Sequence, residues 1–93
     1  YACLASRVPY GQRITAEKLG RIEQAEAVLH GLGLTGCRVR DHGEIARIEV
    51  PADRIESAAA ARERIVGPLK ELGYTYVALD LQGFRSGSMN ETL

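Results

Sequence analysis

The chain has 93 residues, 45% of them hydrophobic, with twelve basic and twelve acidic side chains. That is enough for one small domain and too little for two cores, and the balance excludes whole-chain disorder, collagen-like repeats and coiled coil. The charges cancel, so a uniform field for nucleic acid or anionic lipid is lacking, and any anion site has to come from local placement. No run of eighteen apolar residues occurs, which argues against a membrane span. Cys3 and Cys37 are too few and too unpatterned for a secreted disulfide framework, so a reducing cytoplasm is expected. The start at Tyr1, without methionine and in a polar stretch, reads as a piece of something longer.

Residues 1–13, with Pro9 and Gly11 and no sustained period, read as a leading loop. Thr15 is a predicted N-cap, with Glu17 in the first turn where the helix dipole favours negative charge. Leu19, Ile22, Val28, Leu29 and Leu32 share one face of a helix over about 16–31, with Glu17 and Arg21 paired on the solvent side. Gly31 and Gly33 end it. In CRVRDH at 37–42, strict alternation sends Cys37, Val39 and Asp41 one way and Arg38, Arg40 and His42 the other. Gly43 marks a turn, after which Ala46, Ile48 and Val50 alternate with Arg47 and Glu49, completing an antiparallel hairpin. Pro51 suits the start of a second helix through the alanine run 58–61 to Leu72, interrupted at Gly67–Pro68. YTYVALDL at 74–81 is a third strand, and the Gly- and Ser-rich tail is loop.

The expected fold is therefore α+β, a single domain over 1–93 in the order α-β-β-α-β. Its two helices pack on one face of a small antiparallel sheet. The other face is left free and lined with arginines, which belongs against a ligand, another domain or another copy of the chain.

Few residues stand out chemically. Arg38 and Arg40 lie on one side of a strand about 6.6 Å apart, a spacing at which two guanidiniums grip a phosphate or a pair of carboxylates. The competing reading is a solvated face balanced by Asp41, Glu44 and Glu49. Cys3, Ser6 and Arg7 put a thiol, a hydroxyl and a cation within five residues, and a nearby cation lowers a thiol pKa. Cys37 is most simply a core residue. His30 and His42 lack zinc spacing. Glu26 and Asp53 are acidic candidates for a hard cation such as magnesium, Asp53 from charge type alone. No P-loop, dinucleotide fingerprint or Ser-His-Asp order is present.

Taken together, CLASRVPYG at 3–11, KLGRIEQAE at 18–26, RVRDHGEIARIEV at 38–50 and YVALDLQGFRSGSMN at 76–90 resemble the carboxy-terminal part of the LarE family. Members of that family are ATP-dependent sacrificial sulfur transferases of the PP-loop group. The resemblance implies an enzyme that adenylates a carboxylate of a pyridinium dicarboxylate mononucleotide and inserts sulfur on the way to a nickel-pincer cofactor. It also implies that Cys3 gives up its sulfur and is left as dehydroalanine, with Ser6 and Arg7 binding substrate or assisting the thiolate. Arg38 and Arg40 match the motif that would hold the mononucleotide phosphate, and Glu26 is carried over as a metal or substrate residue. Arg85 lies in a matching segment without an assigned role.

The family's SGGxDS loop for ATP does not occur in these 93 residues. ATP and Mg2+ are accordingly expected on an amino-terminal PP-loop domain, and this segment alone is expected to be inactive. A homo-oligomer is expected, and an iron–sulfur cluster on further cysteines stays open. The alternative is a non-catalytic oligomerisation or ligand-binding module of another PP-loop enzyme, GMP synthetase-like or tRNA-modifying. The zero net charge disfavours the tRNA variant.

Overall fold

A computed structural model describes residues 15–83. The first helix, α1, spans Ala16–Gly31, and Thr15 caps it in extended conformation, its Oγ1 accepting a 3.1 Å hydrogen bond from Lys18 N. That cap satisfies one of the donors a helix start leaves without an intrahelical partner. Ile22, Ala25 and Leu29, spaced three and four apart, are buried along one stripe of α1. Strand β1 (Arg38–Asp41) then pairs antiparallel with β2 (Ile45–Glu49), Arg38 opposite Glu49 and Arg40 opposite Arg47.

After Pro51 the chain makes a 3-10 turn (Ala52–Arg54), then α2 (Ile55–Ala60), α3 (Arg62–Glu71) and β3 (Tyr76–Leu79). The sheet order is β1-β2-β3. The α+β class and the order of elements agree with the sequence, while the sheet is mixed rather than wholly antiparallel: β3 runs parallel to β2, with Ile45 opposite Tyr76. The reason lies in the connection. Two strands joined by a helical crossover have room to return in the same direction, as a tight turn does not allow. The helix interruption also differs from expectation. It falls at Ala61, whose N–H is shared between Ser57 O and Ala58 O, and Pro68 sits inside α3. Proline there removes one donor, but the bonds from Leu72 N to Pro68 O and Leu69 O carry the helix past it.

The core lies between the helices and one face of the sheet. Val39, Ala46, Ile48 and Val50 point inward and meet Ala25 and Leu29 of α1, Ala58 of α2, and Ile65 and Leu69 of α3. Ile48, on the central strand, is 2% exposed, and truncating such a side chain to alanine costs about 2–5 kcal/mol. No helix among the described residues is long and apolar enough to cross a membrane.

One charged group belongs to this interior. Asp41 is the inward residue at the end of β1 and is fully buried. Its Oδ2 accepts from Arg21 Nη2 at 2.8 Å, Arg21 Nε at 3.1 Å and the Tyr74 hydroxyl at 2.8 Å, while Oδ1 accepts from Gly43 N at 2.8 Å. Arg21 also donates to Gly43 O at 3.0 Å, and its guanidinium carbon lies 4.3 Å from the centre of the Tyr74 ring. Arg21 therefore turns toward the sheet instead of pairing with Glu17 in solvent, because a buried carboxylate outcompetes an exposed one for a cation. Burial pushes the Tyr74 phenol well above its ordinary 10.0, reinforced by its bond to Asp41. Arg21 is raised despite its desolvation, through its bond and attraction to Asp41.

These contacts set two expected outcomes for chemical denaturation. Asp41→Asn removes the charge that balances Arg21 among the described residues and should cost about 3 kcal/mol or more. Tyr74→Phe should cost about 1–2 kcal/mol. The Tyr74 shift also has a sign: the unfolded phenol ionises near 10.0 and the folded one above it, so its contribution is complete below that pH and is lost as pH rises beyond it. Tyr74→Phe should accordingly lessen the loss of stability above pH 10, and an unchanged alkaline profile would contradict the assignment.

Candidate functional site

Alternation along β1 and β2 that buries Val39 and Ile48 turns Arg38, Arg40, Arg47 and Glu49 to the opposite face of the sheet. The described helices pack on the inner side, through Ala25 and Leu29, Ala58, and Ile65 and Leu69, so among the described residues this outer face has no helical cover.

The outer face carries a connected charge network. Arg40 reaches Glu49 Oε1 with Nε at 3.1 Å and Nη2 at 3.0 Å. Arg47 Nη1 lies 2.7 Å from Glu49 Oε2 and 2.7 Å from Asp80 Oδ2, and its Nε donates to His42 Nε2 at 3.2 Å. Arg38 Nη1 bonds the carbonyl of Cys37 at 3.0 Å. Asp80 is held in turn by the loop after β3, where its Oδ1 accepts from Gln82 N at 2.9 Å and its carbonyl from Gly83 N at 3.2 Å. Gly83 has φ of +80°, and a Cβ there would stand 3.0 Å from Ala52 Cα, so only glycine lets this turn lie against the start of the crossover.

Two arginines directly opposite one another on adjacent strands repel. Glu49 resolves this by offering one oxygen to each, and at 8% exposure it does so with reduced solvent screening. Individual pairs on such a face contribute little, usually below about 1 kcal/mol. Their chemical effect is to hold guanidiniums in fixed orientation on a face without helical cover among the described residues, which suits recognition of phosphate or carboxylate.

The other expected site residues are placed differently. Glu26, on α1, turns its Oε2 to the backbone N–H of Val39 at 2.9 Å, supplying an acceptor to edge strand β1. Asp53 is exposed on the 3-10 turn. No group of three or more His, Cys, Asp or Glu side chains placed to hold a metal ion occurs among the described residues. Cys37 is buried, with Sγ donating to Leu34 O at 3.0 Å, as expected of a core residue. Cys3, Ser6, Arg7 and Arg85 lie outside the described residues.

Sequence reasoning placed Arg47 and Glu49 on this face without linking them, and passed over Asp80 and the contact of His42. The signal for Asp80 was its parity with Tyr76 and Ala78 on the third strand, which had no use until the pairing of that strand was known.

His42 has a testable state. Burial, followed by the charge of Arg47, pushes its pKa below the ordinary 6.5, in keeping with Nε2 accepting a bond and so carrying no proton. The unfolded chain then takes up a proton at higher pH than the folded one, so this contribution is complete above pH 6.5 and is lost as pH falls below it. His42→Gln should flatten stability between about pH 7 and 5 relative to the parent, measured by urea titration at each pH.

No family model matches the chain. Among curated proteins, it is 46% identical over 90 residues to the pyridinium-3,5-bisthiocarboxylic acid mononucleotide synthase of Lactiplantibacillus plantarum, a match covering 97% of this chain and 33% of that protein. An uncharacterized protein of Synechocystis is 42% identical over 93 residues, covering 98% of this chain and 35% of its own length. An uncharacterized protein of Methanocaldococcus jannaschii is 31% identical over 84 residues, covering 90% and 33%. The chain thus spans about a third of the length of the curated relatives it matches. Identity at this level, along nearly every residue, agrees with the motif resemblance, and the chain is a homologue of one third of a LarE-family protein.

Proposed function

We propose that this chain is the part of a LarE-like, ATP-dependent sulfur transferase that holds a pyridinium mononucleotide and donates sulfur to it from Cys3. The observation that carries this reading is the 46% identity, over 97% of the chain, to a protein named for synthesis of a bisthiocarboxylic acid mononucleotide. The arginine face supports it, because guanidiniums held in place suit a mononucleotide phosphate, and Arg38 and Arg40 stand on that face.

In this reading an amino-terminal PP-loop domain uses ATP to convert a substrate carboxylate into an acyl-adenylate, replacing a poor leaving oxygen with AMP. The Cys3 thiolate attacks the acyl carbon, the bond to AMP breaks, and a thioester forms. A base removes the α-proton of Cys3, and the electron pair forms the α,β double bond as the Cβ–S bond breaks. The products are a substrate thiocarboxylate and dehydroalanine. Arg38 and Arg40 bind and orient the phosphate, while Ser6 and Arg7 position the thiolate or the acyl group.

The described residues do not fit a resident metal. Glu26 is engaged with Val39 N, Asp53 stands exposed, and neither belongs to a convergent donor set. Cys37, inside the core, does not fit an iron–sulfur cluster. No step here runs through either group. Assembly of the full-length protein into a homo-oligomer belongs to the same reading.

The test is mass spectrometry of the full-length protein after incubation with ATP, magnesium ion and the pyridinium dicarboxylate mononucleotide. A loss of about 34 Da mapped to Cys3, the mass of hydrogen sulfide, is expected. Consumption of ATP with an unchanged Cys3 would defeat the donor role. Arg38→Ala together with Arg40→Ala should weaken mononucleotide binding by at least tenfold, read by calorimetry.

A further inference from the structure

The hydrogen bonds of the outer face single out Arg47, to which the motif resemblance assigns no role. It faces Arg40 directly across the antiparallel pair. Its hydrogen bonds to His42, Glu49 and Asp80 use Nε and Nη1. Nη2 takes part in none of them, and the Arg47 side chain, at 37% exposed, is the most open of the four ion-paired groups on this face. A guanidinium held on two of its nitrogens by three side chains, with Nη2 in none of those bonds and the side chain partly exposed, is oriented for an incoming acceptor before that acceptor arrives.

Glu49 completes the picture. One carboxylate bridges Arg40 and Arg47, oxygen to guanidinium on each side. It stands where a tetrahedral oxyanion would be gripped by the same pair, and a phosphate brings more charge and more acceptor oxygens than the carboxylate. We propose that Arg47 is a further anion-binding residue, forming with Arg40 a cross-strand clamp for a phosphate group, and that Glu49 is the internal carboxylate with which the phosphate competes. This rests on the reading that the arginine face holds a mononucleotide phosphate. It adds a third arginine and a competing acid to that face, with Asp80 and His42 as positioning residues for Arg47.

The test is a titration of the full 93-residue chain with inorganic phosphate at pH 7.5, following the side-chain Nε–Hε resonances of Arg38, Arg40 and Arg47. In the parent chain, phosphate should shift the Arg40 and Arg47 signals together with one dissociation constant. Arg47→Ala should weaken binding at least fivefold. Arg47→Lys should recover only part of it, because an ammonium keeps the charge without the fork. Glu49→Gln should tighten binding by about threefold or more, a gain that a damaged fold does not produce. If Arg47→Ala fails to fold, Arg47→Lys and Glu49→Gln decide the matter. Binding within twofold of the parent in Arg47→Ala, with loss in Arg40→Ala, would overturn the role of Arg47 and leave the proposed function standing. An unchanged or weaker affinity in Glu49→Gln would overturn the competition. Phosphate that shifts none of the three arginine signals would overturn the reading of the face as a phosphate site, and this inference with it.

Discussion

The carboxylate of Asp41 joins every layer of this small structure. Its partners come from α1 through Arg21, from the β1–β2 turn through Gly43, and from the segment between α3 and β3 through Tyr74. A charge without solvent exposure is costly unless each lone pair finds a donor, and here four bonds and one cation supply them. None of the buried side-chain nitrogens or oxygens among the described residues lacks a hydrogen-bond partner. A chain of this size buries a modest share of its surface, so one satisfied polar contact linking helix, turn and strand specifies a good deal of its geometry.

That internal clamp has a consequence on the other side of the sheet. Asp41 ends β1 with an inward side chain, so Arg38 and Arg40 before it both point outward, in register with β2 in the one way that brings Arg40 opposite Arg47. A slip by one residue would bury arginines and expose Val39 and Asp41, which the buried ion pair makes prohibitive. The core carboxylate thereby positions the outer guanidiniums without touching them. Glu49 and Asp80 then settle the orientation of those guanidiniums, turning four charges on a surface into a connected array rather than a solvated scatter.

The relation to the LarE family gives this array a chemical context, while the geometry qualifies the residue roles that family resemblance alone implies. Glu26 sits at the edge of β1 as an acceptor for a strand N–H, and Arg40 comes with its own acidic partner. A phosphate reaching this face meets guanidiniums that are already engaged. Affinity there depends on the difference between two anions rather than on the number of arginines.

Local sequence pattern determined most of the framework. The Thr15 cap, the apolar stripe of α1 and the strict alternation around Val39 and Ile48 are short-range signals, and each describes which side of an element meets the core. The motifs also carried the family relation, because residue identity is all that such a comparison reads. Tertiary structure alone decided the rest. The direction of β3 depends on how a helical crossover returns to the sheet, the helix break falls at Ala61 instead of at Pro68, and Arg21 left solvent for a carboxylate twenty residues away. The outer network joins His42, Arg47, Glu49 and Asp80 from separate stretches of chain. Contacts between residues distant in sequence have no local signature, since each side chain by itself is equally at home in water.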